Sequence, residues 1–273
     1  MLGSLQTGVS GLQQFQQRLD VIGNNIANVG TTGFKSARMD FEDTFSRTLD
    51  SASGGLQIGT GVGTAAIRSQ FTQGAINKTS VGTDLAVQGQ GFFVVRDTGS
   101  GESFATRAGE FRLNDEGYLI TNFGMRVQGL NNGGSAAEDL KIDGSGAPAT
   151  TAADAKMTSF SIGSDGKIKV RMSDGTEFVR GQVLLQSFTA PENLMKEGNN
   201  LLSGFAAAGA LSKLEAPKTN GLGHIEAGSL EMSNVDLAGE MSSLITTQRA
   251  FQASARIVTT SDEFLQELVN LKR

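Results

Sequence analysis

The residues that could do chemistry in this chain are few, and their surroundings argue against catalysis. His224 is the only histidine, so a Ser-His-Asp triad would have to use it, in a glycine-rich segment without a GxSxG nucleophile elbow nearby. The acid pairs Asp115-Glu116 and Glu138-Asp139 lie in or beside expected turns, where carboxylates are common for solvation. We therefore predict no catalytic, cofactor-binding or metal-binding residues and no enzymatic activity.

Loops that would bind phosphate, metal or nucleic acid are also missing from the sequence. Gly59, Gly61 and Gly63 alternate with other residues, but a GxGxxG loop would need glycine where Thr64 stands. The chain has no cysteine, which excludes disulfides and thiolate metal sites. A net charge of -5 without a basic stripe argues against a nucleic-acid partner.

The two ends of the chain carry the strongest pattern. Apolar residues recur every seven positions from Leu237 to Leu271, and the first thirty residues repeat this spacing. Residues seven apart lie almost above one another on a helix, so each end has a narrow apolar seam suited to another helix. We predict helices over 3–28 and 237–271 that pair as a terminal coiled coil; ordinary amphipathic helices over a globular core are the alternative.

We expect the seams of these helices to form an assembly interface. In the second helix the main row is joined by a second row, Met241, Ala255 and Val269, on the same face. The interface residues predicted from both helices are Leu5, Leu12, Phe15, Leu19, Ile22, Ile26, Leu237, Met241, Leu244, Phe251, Val258 and Leu265.

Between the ends, the apolar period changes from seven to two, which indicates strands. The clearest is 167–172, where charged and apolar residues alternate between two Asp-Gly turns. We also predict strands at 92–95, 118–121, 125–128 and 182–188. The spacing of Phe41, Phe45 and Leu49 predicts a short helix, and 131–156, poor in large apolar residues, is interpreted as a surface excursion.

The predicted fold class is α+β: a discontinuous terminal helical coiled-coil domain with an inserted all-β domain and a glycine-rich neck. We predict the helical domain at 1–35 and 230–273, the neck with some β structure at 36–85 and 200–229, and the β-rich outer domain at 86–199. A chain with 36 Gly, 3 Pro and 38% hydrophobic residues favours turn-rich β structure over disorder. No stretch approaches the roughly 18 apolar residues of a membrane helix, and the N-terminus lacks the features of a cleaved signal peptide.

Three blocks of residues, in the same order along the chain, resemble the bacterial flagellar rod and hook protein family. The first is Asn24-Asn25-Ile26-Ala27-Asn28 with Gly33-Phe34-Lys35, the second Gly91-Phe92-Phe93 with Thr106-Arg107-Ala108-Gly109, and the third Ser233-Asn234 with Gln248-Arg249. The residues that carry the resemblance are Asn24, Asn25, Asn28, Gly33, Phe34, Lys35, Gly91, Phe92, Phe93, Asn234, Gln248 and Arg249.

The resemblance implies a structural subunit that self-assembles into the helical tube of the flagellar axis. Paired terminal helices would line the tube, and the β domain would form its outer layer. Implied partners are copies of itself, neighbouring axial proteins, the hook cap and the type III export apparatus, which passes subunits without a cleaved signal. No membrane insertion is implied.

Within the family, the closing residues 265–273 and the opening Gly8-Val9-Ser10-Gly11-Leu12 look most like hook protein. We therefore expect an extracellular hook subunit, part of the universal joint that transmits torque. The alternative is a distal rod protein in the periplasm, which the segment 55–61 and the short chain favour. A third hypothesis, from another class, is a secreted glycan-binding or adhesive β protein, for which aromatic residues at 6%, mostly Phe, provide few stacking surfaces.

Overall fold

The computed structural model describes residues 2–50, 56–131, 134, 136–146, 155–211 and 213–271, without the side chains of 2, 47–50 and 56–58. The chain divides into two compact units. Unit 1 comprises Met1–Val29, Lys35–Gln70 and Val235–Arg273, and unit 2 comprises Gly30–Phe34 and Phe71–Asn234. The segment 35–70, which the sequence analysis places in a neck, thus groups with the two terminal helices.

Unit 1 consists of two long helices and a β-ribbon. Its elements are α1 Leu2–Ala27, β1 Ala37–Asp43, β2 Ser46–Asp50, β3 Leu56–Gly59, β4 Val62–Ser69 and α2 Leu237–Leu271. Both predicted terminal helices are confirmed, with bounds within two residues of those expected. β1 pairs antiparallel with β4, and β2 pairs antiparallel with β3.

The short helix predicted from Phe41, Phe45 and Leu49 is wrong, because these residues lie in or between β1 and β2. The physical reason is cross-strand pairing. Phe41 pairs with Thr64 of β4 and packs edge-on against Phe15 of α1, with ring centroids 5.9 Å apart. Both partners are distant in sequence from the segment 41–49, whose spacing suggested a helix.

Polar side chains cap the C-terminal end of α1 and the N-terminal end of α2. The Asp236 carboxylate accepts a hydrogen bond of 3.1 Å from the Ala238 amide, and Glu240 follows in the first turn of α2. After α1, the Asn28 side-chain amide donates to the backbone and side-chain oxygens of Asn24, each at 2.9 Å. These bonds satisfy backbone groups that a helix end leaves unpaired.

Unit 2 is built from antiparallel strands. They are β5 Ile76–Lys78, β6 Leu85–Gln88, β7 Phe92–Arg96, β8 Ser103–Thr106, β9 Phe111–Leu113, β10 Leu119–Thr121, β11 Arg126–Asn131, β12 Glu138–Asp139, β13 Met157–Ile162, β14 Lys167–Met172, β15 Glu177–Val183, β16 Leu185–Gln186, β17 Met195–Gly198, β18 Leu201–Ser203, β19 His224–Ala227 and β20 Ser229–Glu231. Within the described part of the unit, the main sheet runs β13-β14-β15-β11-β7-β8-β18-β17, and β9, β10, β12 and β16 branch from it. Two smaller ribbons pair β19 with β6 and β20 with β5.

β7 divides the hydrophobic core of unit 2 between its two faces. Successive side chains of a strand point to opposite sides. Phe93 packs edge-on against Phe111 at 5.2 Å in the larger cluster, whereas Phe92 joins Phe188 at 5.4 Å in the smaller one. The Phe92-Phe93 pair thus anchors one strand into both clusters.

Several predicted strands are confirmed, and two expectations are corrected. β14 alternates exposed and buried residues over 167–172, with Gly166 and Gly175 at positive φ in the flanking turns. The strand expected at 182–188 is interrupted after Val183, and only Leu185–Gln186 continues beside β7. Part of 131–156 is not a surface excursion, since Leu140 and Ile142 are buried in the larger cluster; 132–133, 135 and 147–154 lie outside the described residues.

Among the described helices, neither is both long enough and apolar enough to cross a membrane.

Candidate assembly interface

The helices α1 and α2 of unit 1 lie side by side and antiparallel, in very close approach. A Cβ added at Gly8 would lie 3.1 Å from a Val258 methyl carbon, and one added at Gly11 would lie 3.2 Å from the Ser254 hydroxyl oxygen. At the other end of the pair, Asn25 bonds to Glu240. Small residues therefore set the distance between the helices.

The buried row of α2 is made of hydroxyl residues. Thr247, Ser254 and Ser261, spaced seven apart, are its buried positions. The hydroxyls of Thr247 and Ser261 each donate to the backbone oxygen four residues earlier, both at 2.7 Å. Their polar atoms are thus satisfied within the helix, so their burial against α1 leaves no hydrogen bond unmade.

The predicted seam residues lie beside this contact to different degrees. Ile22 is fully buried; Met241 and Leu237, by contrast, are 45% and 44% exposed. The row that meets α1 is Thr247-Ser254-Ser261 rather than Met241-Ala255-Val269, one position away along the helix. The partly buried members of the prediction are Leu5, Leu12, Phe15, Leu19, Ile26, Leu244, Phe251, Val258 and Leu265.

Sequence reasoning missed the small residues because it counted only apolar side chains. The usable signal was Gly8 and Gly11 on α1 together with hydroxyl residues repeating every seven positions on α2. A pattern of small residues on both partners is typical of helices whose backbones approach closely.

The β1–β4 ribbon covers one side of α1. The Thr64 hydroxyl contacts the side-chain oxygens of Gln14 and Gln17, the latter at 2.8 Å. The Arg18 guanidinium lies 5.5 Å from the centre of the Phe41 ring. Two of the five glutamines of α1 therefore form contacts within the chain.

Several large apolar side chains of α2 remain uncovered by the described residues. These side chains are between 44% and 83% exposed, and they are Leu237, Met241, Ile245, Ile257, Phe264, Leu268, Val269 and Leu271. Exposed apolar surface on this scale marks a site of protein–protein contact. The arrangement offers a surface for association rather than a pocket for a reaction.

Asn25 is the polar anchor of unit 1. It is 1% exposed, its amide donates to the Ala37 oxygen at 2.8 Å and to Glu240 at 2.9 Å, and its oxygen accepts from the Ala37 amide at 3.0 Å. One side chain thus joins α1, β1 and α2. Gln248 and Arg249, in contrast, are exposed on α2 and form no hydrogen bond or ion pair with a described residue.

We expect Asn25→Leu to lower the free energy of unfolding by about 2–3 kcal/mol, because the half-buried backbone N–H and C=O groups of Ala37 and the Glu240 carboxylate lose their partner. Thermal unfolding followed by circular dichroism measures this loss. Asn24→Leu, at an exposed neighbouring position, is the control and should cost about 1 kcal/mol or less. Equal losses in both variants would contradict the anchoring role of Asn25.

In the three blocks, Lys35 is buried in unit 1, whereas Gly33, Phe34, Gly91, Phe92, Phe93 and Asn234 are structural anchors within unit 2. Gly33 has φ +68°, and a Cβ there would lie 2.5 Å from the Ala108 amide nitrogen. The Phe34 ring faces the Lys196 ammonium at 4.9 Å, Gly91 has φ +125°, and Asn234 donates to the Thr72 hydroxyl at 2.8 Å.

A buried ion pair ties together distant parts of unit 2. Arg107 and Glu231 are 3.1 Å apart, with side chains 6% and 0% exposed. The other Glu231 oxygen accepts from the Gly74 amide at 2.9 Å, and Arg107 also donates to the Gly89 oxygen at 2.9 Å. Burial lowers the pKa of Arg107, and the charge of Glu231 opposes that shift. The pair is therefore a structural clamp.

The residues first considered for catalysis have structural surroundings. His224 lies in β19, paired with Gln88, and Glu116 is 3.4 Å from Arg126. Within the described residues, no group of acidic and histidine side chains could hold a metal ion. These positions therefore supply no constellation suited to acid–base chemistry.

Asp139 of β12 is the centre of a cationic cluster in unit 2. It is 2.7 Å from Arg96 and 3.1 Å from Arg126, and it accepts from Gln128 at 2.7 Å. Partial burial raises the pKa of Asp139, but the hydrogen bonds from Gln128, Arg96 and Arg126 outweigh it and hold the pKa below its usual range. These partners thus stabilise the charged form of the Asp139 side chain.

The pKa of Asp139 is lower in the folded protein than in the unfolded chain, where it is about 3.9. The charged carboxylate therefore stabilises the fold at any pH above about 3.9. This stabilisation is lost as the pH falls through the folded-state pKa. We expect Asp139→Asn to weaken the protein at pH 7 and to reduce its loss of stability below about pH 4. Urea unfolding at both pH values measures this. Glu138→Gln, the exposed neighbour, is the control and should leave both values unchanged.

Models of known protein families match three segments of the chain, at its two ends and in its middle. Three family models match: "Flagella basal body rod protein" over residues 5–35, "Flagellar hook protein FlgE/F/G D1 domain" over 86–170, and "Flagellar basal body rod FlgEFG protein C-terminal" over 226–271. The first and third cover most of α1 and α2, and the second covers a large part of the β structure.

Individual relatives also match from end to end. "Flagellar basal-body rod protein FlgG" of Bacillus subtilis is 42% identical over 282 residues, covering 100% of both chains. The protein of the same name from Borreliella burgdorferi is 32% identical over 284 residues, again with 100% of both chains. "Flagellar hook protein FlgE" of Borreliella burgdorferi is 27% identical over an alignment of 446 residues, covering 100% of both.

Proposed function

This chain belongs to the bacterial flagellar rod and hook protein family, and we propose that it is a subunit of the distal rod. As a member of this family it is a structural subunit of the flagellar axis and not an enzyme. The identity to a rod protein, 42% over an alignment close to the length of this chain, supports the rod. The hook relative is less similar, and its alignment is much longer than the 273 residues of this chain.

The observation that carries a role in assembly is the set of uncovered apolar side chains on α2. A heterologous contact between copies that does not close a ring produces an open helical polymer. We propose that the paired helices α1 and α2 act as a coiled coil in the wall of the tube, where neighbouring copies cover Ile257, Phe264 and Leu268. In this arrangement the seam residues and the exposed Gln248 and Arg249 serve contacts between subunits.

The proposal includes further partners and a route of export. We propose that subunits pass through the type III export apparatus unfolded and without a cleaved signal, and that they contact neighbouring axial proteins at either end of their segment. The division into a terminal helical domain, a neck and an outer β domain is proposed for the assembled subunit. A hook cap is a partner only if the chain forms the hook.

The hook remains the second candidate function. It is favoured by the closing residues Leu265 to Arg273 and by the opening from Gly8 to Leu12, which resemble hook protein. In that case the same helical contacts would build a curved extracellular tube instead of a periplasmic rod.

Immunogold labelling of isolated hook–basal bodies, with antibodies against the full chain, separates the two candidates. For the distal rod, we expect label on the rod and none on the curved hook. Label along the hook would mean that the chain is a hook subunit and not a subunit of the rod. Label on neither structure would overturn the axial role in this organelle.

A further inference from the structure

The end of α2 extends past α1. Gly8 lies against Val258 and Gly11 against Ser254, so the antiparallel helices advance in step. In the same register, Leu2 at the start of α1 lies opposite residue 263. Residues 264–271 of α2 therefore extend beyond α1 by about 12 Å, at about 1.5 Å per residue.

This extension, which we call the α2 overhang (residues 264–271), is apolar, and acidic residues lie in it and immediately before it. Phe264, Leu268 and Leu271 are 61%, 50% and 83% exposed. The charged residues between 257 and 271 are all acidic: Asp262, Glu263 and Glu267. A partner surface for the overhang must therefore offer an apolar recess with positive charge at its edge.

A recess of this kind lies at the opposite end of the helix pair. It is a groove of about 160 Å³ between α1, β1 and α2, and Val21, Ile22 and Met39 contribute apolar side chains to it. A cavity of about 150 Å³ holds a benzene molecule when its lining is apolar. The groove is therefore large enough for one phenyl ring.

The edge of the groove has the required charge. Arg18 and Arg38 both line it. Arg38 pairs with Asp40 at 2.9 Å, whereas Arg18 has no carboxylate partner among the described residues. Glu240, the acidic lining residue, already accepts from Asn25 at 2.9 Å. Arg18 is thus a partly buried cation that an incoming carboxylate would neutralise.

We propose that Phe264 of one copy inserts into the groove lined by Arg18, Ile22 and Met39 of a second copy. Glu263 and Glu267 then lie beside Arg18 and Arg38. The inference rests on the proposed self-assembly and specifies one of its contacts. Twenty-one residues of α2, about 30 Å, separate Phe264 from Ser243 in the groove of the same copy, so the contact joins two copies head to tail.

The other exposed phenylalanines suit this groove less well. Phe123 is 59% exposed but lies three residues from Arg126, and Phe45, 93% exposed, has Asp43 on one side and Arg47 on the other. The basic rim of the groove therefore attracts the segments around Phe123 and Phe45 less strongly than the acidic end of α2. A contact between two different surfaces that repeats head to tail can also extend into an open helical polymer, as a growing tube requires.

Photo-cross-linking of the assembled protein tests the contact. Phe264 is replaced by p-benzoylphenylalanine in the full chain expressed in its own bacterium, the flagellar axis is isolated and irradiated, and cross-linked peptides are identified by mass spectrometry. The expected cross-links join residue 264 to peptides containing 18–22, 37–40 or 243. A benzophenone cannot reach the groove of its own copy, so these products join two copies.

Phe123, equally exposed, carries the same probe in a control and should give none of these products. As a second measurement, Phe264→Ser should reduce incorporation into the axis by about tenfold, whereas Phe123→Ser should leave it unchanged. Cross-links from residue 264 to other parts of the chain, or to another protein, would overturn the groove as its site. If the unaltered chain is absent from isolated axes, the proposed function itself fails.

Discussion

Arg107→Met is expected to lower the free energy of unfolding of unit 2 by about 3–5 kcal/mol, because it removes the guanidinium that lies 3.1 Å from the buried carboxylate of Glu231. Glu231 is 1% exposed, and its side chain also accepts a hydrogen bond from the Gly74 amide. Arg107 also lies 4.9 Å from the centre of the Phe92 ring and donates to the Gly89 oxygen. Equilibrium unfolding in urea at pH 7 measures the loss.

Two further variants separate the effect of the unpaired charge from that of lost packing. Arg107→Met combined with Glu231→Gln removes both charges and keeps a side-chain oxygen for Gly74, so we expect it to be more stable than the single variant. Arg171→Met breaks an exposed pair, 3.8 Å apart with side chains 61% and 58% exposed, and should cost less than about 1 kcal/mol. A loss at Arg107 no larger than at Arg171 would contradict the clamp.

The sequence was most informative where a local period determines the structure. The seven-residue repeat located α1 and α2 within two residues, and the alternation at 167–172 identified β14 together with its two Asp-Gly turns. In both cases the pattern repeats within one element, so neighbours along the chain are sufficient to reveal it.

Contacts between distant residues could not be predicted in this way. Arg107 and Glu231 are 124 positions apart, and no spacing links them. Phe41 has a helical spacing to its neighbours, yet strand pairing with Thr64 determines its structure. Leu140 and Ile142 are isolated apolar residues in a segment of small ones, but the core of unit 2 buries both.

The contact between α1 and α2 was predictable in its location and not in its chemistry. The seam helices were identified, and the predicted seam residue Val258 lies against Gly8, but the small residues that allow the close approach, Gly8, Gly11 and Ser254, were not. Hydrophobicity gives no weight to such residues, because their contribution lies in allowing two backbones to approach. Many of the large apolar side chains of α2 lie at the edge of this contact or on its exposed surface, where they are available to other copies.

Gly8→Leu is expected to separate α1 from α2 and to prevent incorporation into the flagellar axis. Even a Cβ at this position would lie 3.1 Å from a Val258 methyl carbon, and the leucine branch has no space between the helices. Overpacking of this kind costs about 1–3 kcal/mol in one molecule. The effect on assembly is larger, because every contact of α2 with other copies depends on its position against α1.

Gly23→Leu is the matched control, since Gly23 lies on the same helix with nothing within 4 Å of an added Cβ. Replacing glycine inside a helix favours the helix by up to about 1 kcal/mol, so the control should be slightly more stable and the Gly8 variant less stable. Circular dichroism melting gives the stabilities, and immunoblotting of isolated axes gives the incorporation.

A compensating substitution distinguishes packing from a special need for glycine. Val258→Ala removes two methyl groups opposite Gly8, so the Gly8→Leu, Val258→Ala variant should recover part of both stability and incorporation. Normal incorporation of Gly8→Leu alone would mean that the close approach of the helices is not needed in the tube. If the double variant recovers neither stability nor incorporation, lack of space is not the cause, because Val258→Ala has restored the space. The protein would then need the backbone conformation of glycine at position 8.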